Sequence, residues 1–452
     1  MPNKIIKLKG QWSSKTAFIL AATGAAVGLG NIWRFPYMAG ENGGSAFVLV
    51  YLLCVLIIGI PVMFAEILIG RYTKQNPVDA MANGAKEMGH THYWGLVGWW
   101  GALGLLLVLS FYSVVSGWAV SYLFRAGLGQ FNGLNSNQVN HIWTQFLASP
   151  GHMLFWHTVF MLLTITVIIG GVTKGLERAS KLMTPGLYII LIALVVYAAI
   201  EGNFSQAWHY LFHFDIQKIT SSIIIAAMGH AFFTLALGAG AMLTYGAYVP
   251  KNVNIVHSCL IVTFLDVLVA FLSGMAIFPL VFAYHLPAQS GPGLMFVTLP
   301  IAFAQIPGGM IIGSLFFLLL IFAAWTSSIN LAEPMVIILM RFLKISRLTS
   351  ALLVGGMAWL LGIGSILSFN LWQHLIFFNH FTVFDLATNI PTDIILPIGG
   401  FCFAIFCGWV LKKYITMNEL NIKFHWYFIW RFLIRYISPI GIIIILINGL
   451  SG

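Results

Sequence analysis

The chain has 452 residues, of which 60% are apolar or aromatic and 8% are charged, against about 25% charged in a soluble domain. With a mean hydropathy of +0.92, this excludes a soluble enzyme, a nucleic-acid binder and a disordered chain, and leaves a polytopic helical membrane protein. The net charge of +10 then reads as loop charge that sets topology, and the apolar runs are too long for the alternating strands of a membrane barrel.

In chain order, runs near the ~20 apolar residues of a spanning helix predict eleven spans: 15–40, 44–70, 93–125, 153–171, 183–201, 219–248, 255–284, 308–342, 349–369, 383–411 and 427–450. The third, sixth, eighth and tenth are long enough to tilt or break. The first runs on into Arg34-Phe35-Pro36 without a cleavable boundary, so it reads as mature protein rather than a signal peptide. Cys54, Cys259, Cys402 and Cys407 sit inside apolar runs and read as packing residues. Basic residues crowd the N-terminal tail (Lys4, Lys7, Lys9, Lys15) and the loops after spans two, four, six, eight and ten. The other loops hold only Arg125 and Lys218. That bias predicts a cell inner (plasma) membrane protein with a cytoplasmic N-terminus and an outside C-terminus. The bilayer is a partner and nucleic acid is not. A single transmembrane domain, 1–452, is expected.

Two spans carry glycine clusters in mid-membrane: Thr23-Gly24-Ala25-Ala26-Val27-Gly28-Leu29-Gly30-Asn31 in the first and Thr234-Leu235-Ala236-Leu237-Gly238-Ala239-Gly240 in the sixth. Their places imply two five-helix halves, 15–201 and 219–411, each beginning with a broken helix. Five is odd, so the second half is inverted, and 427–450 is an extra helix. Unwound backbone in a membrane must line a polar cavity. Half-helix N-termini favour a carboxylate and C-termini favour cations. Close packing through small residues is the competing reading of each cluster.

Gly28-Leu29-Gly30-Asn31-Ile32-Trp33-Arg34-Phe35-Pro36-Tyr37 with Glu41-Asn42-Gly43-Gly44, Gly59-Ile60-Pro61 with Glu66 and Gly70-Arg71-Tyr72, Phe232-Phe233-Thr234-Leu235, and Thr326-Ser327-Ser328-Ile329 resemble the motifs of the neurotransmitter:sodium symporter family. The likeness runs in order from about Gln11 to span eleven, and the eleven-helix form resembles the bacterial, amino-acid-carrying branch. The resemblance implies alternating access, with an amino acid and two Na+ ions bound together. One sodium site would take oxygens from Ala26, Asn31, Thr234, Asp266 and the substrate carboxylate, the other from Gly24, Val27, Ala323, Thr326 and Ser327. These are hard-cation ligands.

By the same resemblance, the Leu29 and Gly30 amides with the Tyr112 hydroxyl bind the carboxylate, and carbonyls of Ala26, Phe233 and Thr234 meet the amine. Gly28 stands where amine carriers have an acid, which implies a substrate that brings its own carboxylate. The side-chain pocket is expected from Ala25, Val108, Tyr112, Phe233, Ala236, Ala239, Ser327 and Leu331. No acid or base is among them, so the expected substrate is neutral and bulky, hydrophobic or aromatic.

Asp266 and Ala270 stand where chloride-dependent members have Asn and Ser. A fixed carboxylate there implies chloride-independent transport, since a mid-membrane acid is too costly to be idle. Tyr51 and His230 belong to the same neighbourhood, and His230 reads as a neutral ring donating one hydrogen bond, with pairing to Asp266 as the alternative. Arg34 resembles the outer gate. The family's acid is Thr388 here, so Asp385, one turn earlier, is the expected partner, with Asp393 further on. The inner gate would use Lys9 and Trp12, but its acid position is Arg341, so Trp12 and hydrogen bonds are expected to close it. Gly175 and Pro185 match a family unwinding motif, with a helix-start proline as the plain alternative. Glu66 and Glu333 read as buried structural pairs. Proton coupling through Asp266 and His230 is the competing function. An intramembrane enzyme or a non-transporting sensor is remote, because neither a His-Glu-x-x-His helix nor an aspartyl pair is present.

Overall fold

The structure is a computed structural model that describes residue 8 and residues 10–286, 293–378 and 380–451. The first span is two helices, α1a (Lys15–Ala26) and α1b (Gly30–Glu41), bent by 51°. Nine described helices cross unbroken in length and apolarity: α2 (Ser45–Thr73), α3 (His92–Gly127), α4 (Pro150–Ile169), α5 (Val172–Glu201), α7 (Ile255–Ala283), α8 (Gly309–Leu343), α9 (Arg347–Leu367), α10 (Val383–Val410) and α11 (Phe424–Leu450). Between α5 and α7 the sixth span is divided into α6a (Ser221–Thr234) and α6b (Ala241–Ala247). The third and eighth spans, expected to tilt or break, are continuous, and α10 holds together through two π turns.

Both breaks arise from close approach. A Cβ at Gly28 would lie 2.6 Å from Ser327 Oγ and 2.7 Å from Tyr112 Oη, so a side chain there would displace the hydroxyls by which α8 and α3 meet α1. Between α6a and α6b, Gly238 has φ +90° and a Cβ there would lie 2.1 Å from the Leu396 carbonyl oxygen. Ala236 also takes a left-handed φ of 53°, a conformation costing about 1–2 kcal/mol for a residue with a Cβ. The freed Gly238 amide donates to Glu66 Oε1 at 2.6 Å, which meets the demand that buried backbone be paired. Glu66 is therefore a cap on broken backbone and not half of an ion pair. Glu333 does pair, accepting from Tyr248 at 2.8 Å and from Arg347.

The fifth span begins at Val172 and not at 183, with a π turn over Val172–Glu177 that contains Gly175. Pro185 lies inside the helix that follows, so the helix-start reading of this proline is wrong. Packing partners recur five helices apart. α1 packs on α7 as α6 does on α2; α3 packs on α4, α9 and α10 as α8 does on α9, α4 and α5. The contact of α3 with α8 is the centre of the bundle, and α11 lies outside the pattern against α10.

Candidate substrate and ion site

The backbone groups freed at the α1 break are the start of the site. Val27 ends α1a in an extended conformation, with ψ 110°. Beyond it the Gly28 amide donates to Asn31 Oδ1 at 3.1 Å and the Leu29 amide donates to Tyr112 Oη at 3.0 Å. On the other side of the break, Ser327 Oγ donates to the carbonyls of Val27 and Gly24 at 3.1 and 3.4 Å.

Asn31, Thr234 and Asp266 form one fully buried cluster. Asn31 Nδ2 donates to Thr234 Oγ1 (2.9 Å), Asp266 Oδ1 (2.8 Å) and the Asp266 carbonyl (3.1 Å), and Thr234 Oγ1 donates to Asp266 Oδ2 at 3.0 Å. Four oxygens, from one hydroxyl, one carbonyl and one carboxylate, thus converge beside the break. The Asn31 amide presents its NH2 group to them, so it must turn over to offer oxygen to a cation. A second oxygen group lies where α1a, α5 and α8 meet. Thr326 Oγ1 donates to the carbonyls of Phe322 and Ala323 at 3.0 and 3.1 Å. A Cβ at Gly24 would lie 2.9 Å from Thr184 Oγ1 and 3.1 Å from Thr326 Cβ, so the Gly24 backbone packs directly against Thr184 and Thr326. Oxygen-only donors fit a hard cation. Among the described residues no group of three or more His, Cys, Asp or Glu could hold a metal.

A cavity of about 50 Å³ opens beside the α1 break. Eleven of the twelve expected substrate-binding residues line it: Ala25, Ala26, Gly30, Val108, Tyr112, Phe233, Thr234, Ala236, Ala239, Ser327 and Leu331. Leu29 lies instead on the vestibule beyond. Leu105, Ala241, Asn330 and Leu396 also line the cavity and were missed. The three apolar ones carry no signal that separates them from core. No charged side chain is among the lining residues.

Phe233 and Tyr112 separate this cavity from a vestibule of about 350 Å³, which Arg34, Asp385, Thr388 and Asp393 also line. The Arg34 guanidinium stands over the Phe233 ring, 4.8 Å from its centre, an arrangement worth about 0.5–2 kcal/mol. Asp385 is not free to meet it. Its carboxylate caps its own helix, accepting from Thr382 N at 2.9 Å and Thr382 Oγ1 at 2.7 Å. The other carboxylate on the vestibule wall with Arg34 is Asp393. It sits in the π turn Ile390–Ile395, and that turn shifts the face on which later side chains emerge.

Opposite the vestibule, Trp12 is 2% exposed. Its Nε1 donates to the Tyr245 carbonyl and its amide to the Tyr248 carbonyl, both at 3.1 Å. Ser13 N donates to Glu177 at 3.0 Å and its hydroxyl donates to the other carboxylate oxygen. Lys9 lies outside the described residues. Arg341 is paired with Asp79 at 3.1 Å.

Around the chloride-equivalent position Ala270 is buried beside Asp266. His230 is also buried, 5.2 Å from the Tyr51 ring and 5.9 Å from Phe35 and Phe47. Neither His230 nitrogen nor the Tyr51 hydroxyl has a hydrogen-bond partner among the described residues. The single bond expected of His230 is therefore missing, as is one to Asp266.

The model of the Sodium:neurotransmitter symporter family matches residues 9–146 and 130–451. The chain is 34% identical over 442 residues to the uncharacterized sodium-dependent transporter YhdH of Bacillus subtilis, covering 97% of each. It is 31% identical over 452 residues to an uncharacterized sodium-dependent transporter of Haemophilus influenzae, covering 98% of this chain and 99% of that one. The crystal structure of MhsT in complex with L-phenylalanine superposes with a TM-score of 0.90 at 39% identity, over 98% of this chain and all of the other.

Proposed function

The chain belongs to the sodium:neurotransmitter symporter family and is a sodium-coupled membrane transporter; from that premise we propose that it imports a neutral, bulky hydrophobic or aromatic α-amino acid with two Na+ ions and without chloride. The observation that carries this reading is the α1 break. On one side it offers the Leu29 amide and the Tyr112 hydroxyl, and on the other the Asn31–Thr234–Asp266 oxygens. A substrate carboxylate held between them touches both donors and sodium, and that shared contact is the coupling. By linkage it acts equally in both directions.

Gly28 supports an amino acid over an amine. The chain carries no acid at this position, and Ser327 Oγ and Tyr112 Oη already stand within 2.7 Å of where its Cβ would be, so the substrate supplies the carboxylate. The apolar lining supports a neutral side chain, and the L-phenylalanine bound by the similar MhsT agrees with it. Asp266 supplies the negative charge that chloride gives elsewhere, while Ala270 offers no hydroxyl to an anion. The second ion falls to the carbonyls of Gly24, Val27 and Ala323 with the hydroxyls of Thr326 and Ser327. The basic loops support a cytoplasmic Trp12 and an outer Arg34. In the closing step Arg34 pairs with Asp393 above the cavity, and release requires Trp12 to leave Tyr245 and Tyr248.

Uptake of labelled L-phenylalanine into proteoliposomes tests the reading, with an inward sodium gradient against matched choline and with chloride replaced by gluconate. The reading expects accumulation in sodium that survives chloride replacement and is competed by large apolar amino acids. Accumulation driven equally by a pH gradient without sodium moves the coupling to protons. Competition by small polar amino acids alone overturns the substrate class.

A further inference from the structure

One group in the cavity has no task in the transport scheme above. Asn330 lies in α8 one turn beyond Ser327, lines the cavity and is fully buried. Neither its Nδ2 nor its Oδ1 has a hydrogen-bond partner among the described residues. Buried polar atoms are almost always paired, and an unpaired amide in a dry site costs stability with nothing in return. Its neighbours make the position informative. Leu105 lies one turn before Val108 on α3, which runs opposite to α8, and Ala241 begins α6b. With Asn330 they line the cavity, and Leu105 stands about two helical turns from Tyr112, whose hydroxyl would hold the substrate's carboxylate. Ala25, Ala236 and Ala239 keep large side chains out of the space between.

We infer that Asn330 determines specificity by hydrogen-bonding a single polar atom at the far end of an otherwise apolar substrate side chain, so that the carrier prefers tryptophan or tyrosine over phenylalanine and leucine. This rests on the proposed function and narrows it. An indole N–H suits Oδ1, and a phenol hydroxyl suits either amide atom. A charged side chain would face one neutral amide without a counter-charge. A glutamine side chain would bury its own amide against Leu105, Val108 and Leu396. A site with a polar group waiting to be satisfied discriminates strongly against an analogue that cannot satisfy it, whereas apolar volume alone discriminates weakly.

The test is substrate affinity of the purified full chain in sodium, by displacement of labelled amino acid, for wild type, Asn330→Leu and Asn330→Ser. Wild type should bind tryptophan or tyrosine at least tenfold more tightly than phenylalanine. Asn330→Leu should lose about tenfold to a hundredfold for that ligand, with phenylalanine unchanged or tighter, and Asn330→Ser should fall between. In the absence of substrate Asn330→Leu should melt at a higher temperature than wild type, because it removes an unpaired amide. Equal affinity for phenylalanine and tryptophan in wild type, unmoved by Asn330→Leu, overturns the inference and leaves the transport reading intact. A lower melting temperature for Asn330→Leu also overturns it, since Asn330 is then a structural partner. A wild type that binds no amino acid in sodium sinks both readings.

Discussion

The two ends of the bundle are closed by different means. The end that the proposed topology makes cytoplasmic is tied by fixed bonds: Trp12 between Tyr245 and Tyr248, Ser13 on Glu177, and the ion pairs Arg71–Glu419, Lys181–Glu177, Arg341–Asp79 and Arg347–Glu333. The opposite, outer end on that topology holds a vestibule, where Arg34 rests on an aromatic face. Among the described residues the outer face has one ion pair, Lys218–Asp215 at 3.4 Å, and it is largely exposed. On the proposed topology the difference is that of a carrier shut inward and partly open outward. It also places the stabilising interactions of this conformation at the end that must open to release the cargo. A transporter so built needs substrate and sodium to draw the outer end together before the inner bonds can break.

The largest test of this asymmetry is Arg347→Ala. It strands Glu333, whose side chain is fully buried, and removing one partner of such a pair costs about 3–5 kcal/mol. Melting of the purified protein should fall sharply or folded protein should be lost, and replacing both residues by apolar ones should recover much of it. Trp12→Ala follows. A buried tryptophan truncated to alanine loses about 3–5 kcal/mol, but the tail can detach without unfolding the bundle. The loss should therefore appear as faster hydrogen exchange over residues 10–26, with little change in α3 and α8. If α3 and α8 exchange faster as well, Trp12 supports the fold rather than the gate.

Phe233→Leu probes the other end. It removes the surface under Arg34 and the wall between cavity and vestibule, an effect of about 0.5–2 kcal/mol. Substrate dissociation should quicken by a few-fold, while melting moves little. The smallest effect belongs to Lys218→Ala. An exposed pair contributes about 0–1 kcal/mol, so neither melting nor uptake should change. A measurable loss there would mean that the outer face carries structural charge after all.

The same contrast governs what was legible in the sequence. Glycines wrote both broken helices into the chain, because Gly238 meets the Leu396 backbone and Gly28 leaves room for the Ser327 and Tyr112 hydroxyls. The start of α5 was hidden, since Lys174, Glu177, Arg178 and Lys181 interrupt the apolar run. In the fold they form the helix's first turns, with Glu177 held by Ser13 and Lys181. Asp393 was passed over for Asp385 because an α-helical period assigns it another face, whereas the chain runs through a π turn there. Asp385 had a second signal, Thr382 three residues before it, which is the spacing of a capping box. Asn330 sits in a motif-bearing helix, yet nothing in Ile329-Asn330-Leu331 says which residue faces the cavity. Contacts between helices decide that, and single-chain periodicity does not hold them.

The most direct measurement on the central claim is the affinity of the purified chain for its amino acid as sodium is varied at constant ionic strength. If the substrate carboxylate and a sodium ion share one contact beside Asn31, Thr234 and Asp266, affinity rises steeply with sodium and is nearly lost in choline. An affinity that stays constant as sodium is replaced would contradict the shared contact, and with it the coupling built on the broken first helix.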